Sequence, residues 1–74
     1  MITKKHVQAM FPSHTVTQYG SKQLFKACRS DETIFISYLT VIGRLTCDGL
    51  ILDDVYYSPT TARHKLFLRR QYRA

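Results

Sequence analysis

The sequence predicts a small α+β domain. It combines an antiparallel sheet of three or four strands, a short N-terminal helix, and a basic C-terminal helix packed on the sheet. Three observations carry this. Short runs of β-branched and aromatic residues alternate with turn residues, the mark of hairpin-connected strands. Ser58-Pro59 opens a stretch of helically spaced apolar residues. The 74 residues suffice for one hydrophobic core and no second, so residues 1–74 form a single domain.

Each element has its own reason. Ile2, Val7, Met10 and Phe11 recur at near-helical spacing behind Thr3, a good N-cap. They predict a helix over residues 3–11 that stops before Pro12-Ser13. Residues 14–19, His-Thr-Val-Thr-Gln-Tyr, read as a strand closed by Gly20-Ser21. Residues 23–29 form a second strand, with Ser30-Asp31-Glu32 as the turn after it. The strongest strand signal runs from Thr33 to Thr46. Ile34, Ile36, Tyr38 and Ile42 fall on one face, and Phe35, Leu39, Val41 and Leu45 on the other. Apolar residues on both faces indicate a strand covered on both sides. Fourteen residues are long for one strand, so a bend near Ser37 or Gly43 is expected. Cys47-Asp48-Gly49 is a hairpin turn, and Leu50-Ile51-Leu52 returns as its partner. Ser58 then caps a helix that runs to about Tyr72. At 100° per residue, Thr60, His64, Phe67, Leu68 and Gln71 share its core face, with Ala62, Lys65, Arg69 and Arg73 opposite and Leu66 exposed.

Charge is segregated. The net +6 divides into +5 over residues 1–30, −4 over residues 31–54 and +5 over residues 55–74. Two basic flanks around an acidic centre form one basic face or neutralise the centre internally. No apolar run reaches the length of a membrane span. Residues 1–5 lack the apolar core of a signal peptide, so a cytoplasmic location with reduced Cys28 and Cys47 is expected. The cysteines and the three histidines are too dispersed for a zinc site. No metal or cofactor is expected.

The candidate nucleic-acid contacts are Arg63, Lys65, Arg69, Arg70 and Arg73 on the C-terminal helix, joined by Lys4 and Lys5. Lys65, Arg69 and Arg73 repeat every fourth residue as one cationic ridge, and Tyr72 beside them could stack on a base. The plainer reading is a solvated helix face whose last-turn cations favour the dipole. Ser58, His64 and Asp53 supply the residue types of a catalytic triad. Ser58 is better explained as a cap and His64 as a core histidine, so no catalytic residue is expected. The turn over residues 58–61 could hold a phosphate, though capping alone accounts for it. Tyr56 and Tyr57, beside Asp53 and Asp54, suit a protein interface, one tyrosine packing while the other is exposed.

Ser37-Tyr38-Leu39-Thr40-Val41-Ile42-Gly43, the Asp48-to-Leu52 hairpin, and Tyr57-Ser58-Pro59-Thr60-Thr61-Ala62-Arg63-His64 followed by Phe67-Leu68 together carry a resemblance. They resemble an uncharacterised family of short phage-encoded proteins. Its pattern is a Ser-Tyr-x-Thr-x-Ile strand, a hairpin and a Tyr-Ser-x-Thr-Thr-x-Arg/Lys-His helix start. Gly43 stands where that family often has alanine. The resemblance covers residues 37–68 and implies a phage or prophage origin and a hairpin-plus-helix unit, with no activity attached. The expected function is a non-enzymatic binding protein acting on nucleic acid. The alternative is an inhibitor of a host protein in transcription, replication or defence. Pairing of two chains would enlarge so small a core.

Overall fold

The computed structural model describes residues 2–20, 22–55 and 57–72. Helix α1 (Lys4–Met10) leads into five strands, β1 (Thr15–Gln18), β2 (Leu24–Arg29), β3 (Glu32–Ser37), β4 (Thr40–Thr46) and β5 (Gly49–Leu52), and helix α2 (Pro59–Gln71) closes the chain. The strands form one antiparallel meander in the order β1-β2-β3-β4-β5. The α+β class stands, and the sheet has five strands where three or four were expected. The difference lies in the apolar run over residues 33–46. One strand of that length would span about 46 Å, whereas the longest dimension of the fold is 29 Å. The chain therefore reverses at Tyr38-Leu39. Tyr38 takes a φ of +57° to make the two-residue turn, a strained conformation for an aromatic residue.

Side chains alternate across the sheet and build two cores. On one face, Val7 of α1 packs with Val16, Phe25, Ala27 and Ile36, flanked by Ile2, Phe11 and Ile34. On the other, Leu68 of α2 packs with Leu24, Phe35 and Ile42, flanked by Tyr19, Leu45, Leu50, Leu52, Phe67 and Tyr72. Phe25 and Phe35 thus fill opposite cores from neighbouring strands. A bulge admits Ile42: Phe35 pairs with Gly43 and Ile36 with Val41, so the residue between has no partner. Gly43 is needed there because a Cβ would meet Leu52 Cδ2 at 2.4 Å and the Ile51 carbonyl at 2.7 Å. The last hairpin forms where expected, but its two turn residues are Cys47 and Asp48: Gly49 already lies in β5 opposite Thr46 and, at φ +120°, is the residue that takes the positive φ.

The helix starts follow their local chemistry. Thr3 precedes α1, and its N–H donates to His6 Nδ1 at 3.0 Å. Gln8 ties the following loop: Nε2 donates to the carbonyls of Phe11 (2.9 Å) and His14 (2.6 Å), and Oε1 accepts from the Val16 N–H. Ser58 caps α2, accepting from the Thr61 N–H at 3.2 Å, with Pro59 in the first turn. Cys28 and Cys47 are both free thiols. Among the described residues, no helix is long and apolar enough to cross a membrane.

Candidate nucleic-acid interface

The buried stripe of α2 is Thr61, His64, Lys65 and Leu68, with Tyr72 half-buried one turn on. This is an i, i+3, i+4, i+7, i+11 pattern, rotated from the expected face, because Thr60 and Gln71 are exposed while Thr61 and Lys65 are not. Leu66 lies outside, as expected.

The rotation overturns the expected ridge of Lys65, Arg69 and Arg73. Lys65 is only 7% exposed. Its Nζ donates to the Asp53 carboxylate, to the Asp53 carbonyl at 3.0 Å and to the Val55 carbonyl at 2.6 Å, and lies 5.1 Å from the centre of the Tyr57 ring. An ammonium without those acceptors would be costly to bury, and here all three protons have partners. Lys65 fastens the segment after β5 to the helix and is not presented to solvent. Asp53 is the other half of this clasp. Its burial raises the carboxyl pKa, but the bonds from Lys65 and Tyr57 outweigh that and hold it below the ordinary carboxylate value. The bond that the Tyr57 hydroxyl donates to Asp53 raises the phenol above its usual range.

The exposed cations of α2 are Arg63, Arg69 and Arg70. At 100° per residue, Arg63 and Arg70 point about 160–180° from the buried stripe, and Arg69 about 80° from it, toward the Asp53-to-Tyr57 side. None of the three has an ion pair among the described residues. Arg73 lies outside the described residues. Tyr72, read from sequence as a stacking residue, packs against Phe35 and Tyr19 at ring separations of 5.5 and 6.3 Å. Burial, and after it Tyr19, pushes its phenol up to about 12.

Lys4 and Lys5 are exposed on α1. Since α1 and α2 serve opposite faces of the sheet, Lys4 and Lys5 do not share a surface with the arginines of α2, whereas Lys26, over the Tyr19 ring, lies on the α2 side. The acidic centre is partly neutralised internally. Glu32 pairs with Arg29 at 3.2 Å, Asp31 with Arg29 at 3.5 Å, and Asp53 with Lys65, while Glu32 also hydrogen-bonds His14 at 3.2 Å. Asp48 and Asp54 have no ion pair among the described residues. Of the residues expected at a protein interface, Tyr57 and Asp54 are exposed and Asp53 is committed to Lys65. Tyr56 lies outside the described residues.

The triad residues do not come together as a triad. His64 Nδ1 meets Ser37 at 2.7 Å, and Ser37 meets Thr61 at 3.0 Å. Ser58 donates to Thr61 at 3.2 Å. One consistent proton order runs from Ser58 to Thr61 to Ser37 to His64 Nδ1, each hydroxyl donating once, which assigns the neutral imidazole proton to Nε2. Burial lowers the His64 pKa, in keeping with that neutral form. Ser37 is 1% exposed and His64 4%, so the chain joins β3 to α2 inside the fold. Ser37 escaped the sequence reading as a bonding residue. Its signal was a lone hydroxyl at the end of an apolar strand, where a buried polar group requires a partner.

Among the described residues, no cluster of three or more metal-ligating side chains occurs. Comparison with curated proteins and with solved structures finds no match. The pattern of a family of unknown function (DUF8033) does match, over residues 5–72. That span takes in both helices but for one residue of α1, and all five strands, so the chain belongs to this family of unknown function.

Proposed function

We propose that the protein is a non-enzymatic binding protein that engages nucleic acid through the outer face of α2, with Arg63 and Arg70 at the centre and Arg69 at the side. The observation that carries this is the division of charge. Three of the five acids are spent on internal pairs, while these three arginines are exposed with no ion pair among the described residues. Guanidinium groups bind phosphate bidentately. Seven residues of helix separate Arg63 from Arg70 by about 10.5 Å, close to three base steps of a duplex. Lys65 contributes to the helix's support instead of the contact surface. Lys4 and Lys5, across the sheet, would meet a different part of a long ligand. A phage-type origin, implied by residues 37–68, and a cytoplasmic location both fit a small module of this kind.

The test is binding of mixed-sequence duplex DNA and single-stranded RNA by fluorescence anisotropy across a salt series. The wild type should show a negative log–log slope, and Arg63→Ala/Arg70→Ala should flatten it by about 2 on duplex DNA. Absence of wild-type binding at low salt, or a slope that the double variant leaves unchanged, overturns the proposal.

A further inference from the structure

A second surface lies at the other edge of the molecule and does not depend on the nucleic-acid reading. Helix α1 is seven residues long and packs against β1 and β2. A helix is about 10 Å wide and strands sit about 4.8 Å apart, so one helix covers about two strands. The same face reaches Ile36 of β3 under α1 and then continues over the Ile34 end of β3, β4 and β5, where no described helix covers it. Ile34, Val41 and Ile51 occupy it, with Val41 45% and Ile51 50% exposed. They line a groove of about 330 Å³ with Arg44, which sits between Ile34 and Ile51 in register, and with Glu32 and Asp53 at its margins.

The groove opens beside an unpaired strand edge. β5 is bonded to β4, and no described strand lies beyond it. Edge strands are usually blunted by charges, proline or a bulge. Gly49-Leu50-Ile51-Leu52 has no charge or proline, and its register with β4 is regular. The opposite edge, β1, is mostly Thr and Gln.

Charge selects the occupant. Acids bracket β5, with Asp48 before it and Asp53-Asp54 after it. Asp53 is matched by Lys65, whereas Asp48 and Asp54 have no ion pair among the described residues. A second copy fits poorly in the two registers that set Ile51 on itself. Antiparallel pairing centred on Ile51 sets Asp48 of one copy opposite Asp54 of the other, twice by symmetry, and in-register parallel pairing stacks each acid on itself. Like charges directly opposite are destabilising. We propose that the β5 edge accepts, by strand addition, an extended segment of a partner protein with an alternating apolar centre and Lys or Arg at both ends. Main-chain bonds to β5 hold the segment, and every second side chain enters the groove over Val41 and Ile51. Arg44 in the groove excludes a cation from the centre of the segment, so its basic residues fall at the ends.

The probe is a displayed library of random peptides selected on the full chain, followed by titration of the enriched peptides and amide hydrogen exchange. Selected peptides should alternate apolar and polar residues between basic ends and slow the exchange of β5 amides. Asp48→Asn/Asp54→Asn keeps the turn chemistry, since Asn suits a turn position as Asp does. It should weaken binding about fivefold, as two partly exposed ion pairs would. Ile51→Lys should abolish binding. Should that variant fail to fold, Val41→Lys reads the same groove from the next strand. No enriched peptide, peptides with acidic ends, or binding indifferent to the double Asp variant overturns the proposal. So does sedimentation showing a wild-type dimer that Ile51→Lys dissociates, because a second copy would then hold the edge.

Discussion

Ser37→Ala removes one hydroxyl and tests the polar chain that joins β3 to α2. Ser37 Oγ bonds Thr61 at 3.0 Å and His64 Nδ1 at 2.7 Å, at a site 1% exposed. Thr61 keeps its bond from Ser58, while Nδ1 loses the donor that Ser37 supplied. Leaving a buried group without its partner costs about 1–3 kcal/mol. A central value of about 2 kcal/mol is a large share of the roughly 4–11 kcal/mol that a domain of this length commands. It corresponds to a fall in Tm of about 8–16 °C. The assay is urea and thermal unfolding at pH 7.5, followed by far-UV circular dichroism. A double-mutant cycle with Thr61→Val then isolates the contact. The two changes should be less than additive by about 1 kcal/mol, because each removes the same bond. A Ser37→Ala cost below about 0.5 kcal/mol, the range of ordinary surface changes, or strict additivity in the cycle would refute the reasoning.

Two other outcomes follow from buried charge chemistry. Burial lowers the His64 pKa in the folded state, so below about pH 6.5 the unfolded chain takes up a proton that the folded chain refuses. His64's contribution is therefore whole above that pH and is lost as pH falls, by at most about 1.4 kcal/mol per pH unit. Urea midpoints between pH 7.5 and 5 should show this decline, and His64→Gln should flatten it. Lys65→Met should lower stability by about 2 kcal/mol, less than a fully buried pair because Asp53 is partly solvated, whereas Arg69→Met should stay within about 0.5 kcal/mol. Thermal melts of the two variants side by side check the assignment of Lys65 to the clasp.

Much of the fold was legible because local chemistry and tertiary packing agree. Ser58-Pro59 fixes the start of α2, Cys47-Asp48 followed by Gly49 marks the last hairpin, and the alternation of Leu24, Phe25 and Ala27 fits a strand covered on both faces. The expected bend near Ser37 is present, but its tightening into a full reversal at Tyr38-Leu39 was not legible. Neither residue type favours positive φ, and the reversal is imposed by the length of apolar strand that the molecule must fold back. The rotation of α2 was hidden for a related reason. Lys65 looks like a solvent-facing cation in a helical pattern, and only its acceptors at Asp53 and Val55, distant in sequence, draw it inward. The same event removed one of the expected nucleic-acid contacts. The uncovered sheet face could not be foreseen either, because its exposure depends on how few strands α1 reaches. Val41 and Ile51 look like core residues until the single short helix is placed.

The strict meander has a consequence for how the chain reaches its native state. Each strand bonds the strand next to it in sequence, so every hairpin closes only a short loop, at small entropic cost. Such local topology favours fast folding for a sheet protein. It also lets the hairpins assemble in the order in which the ribosome releases them. Helix α2 is released after all five strands, and its docking brings Thr61 and His64 to Ser37. Until it arrives, Leu24, Phe35 and Ile42 face water on a sheet that is otherwise complete, and that interval is when a nascent chain most needs protection from its neighbours.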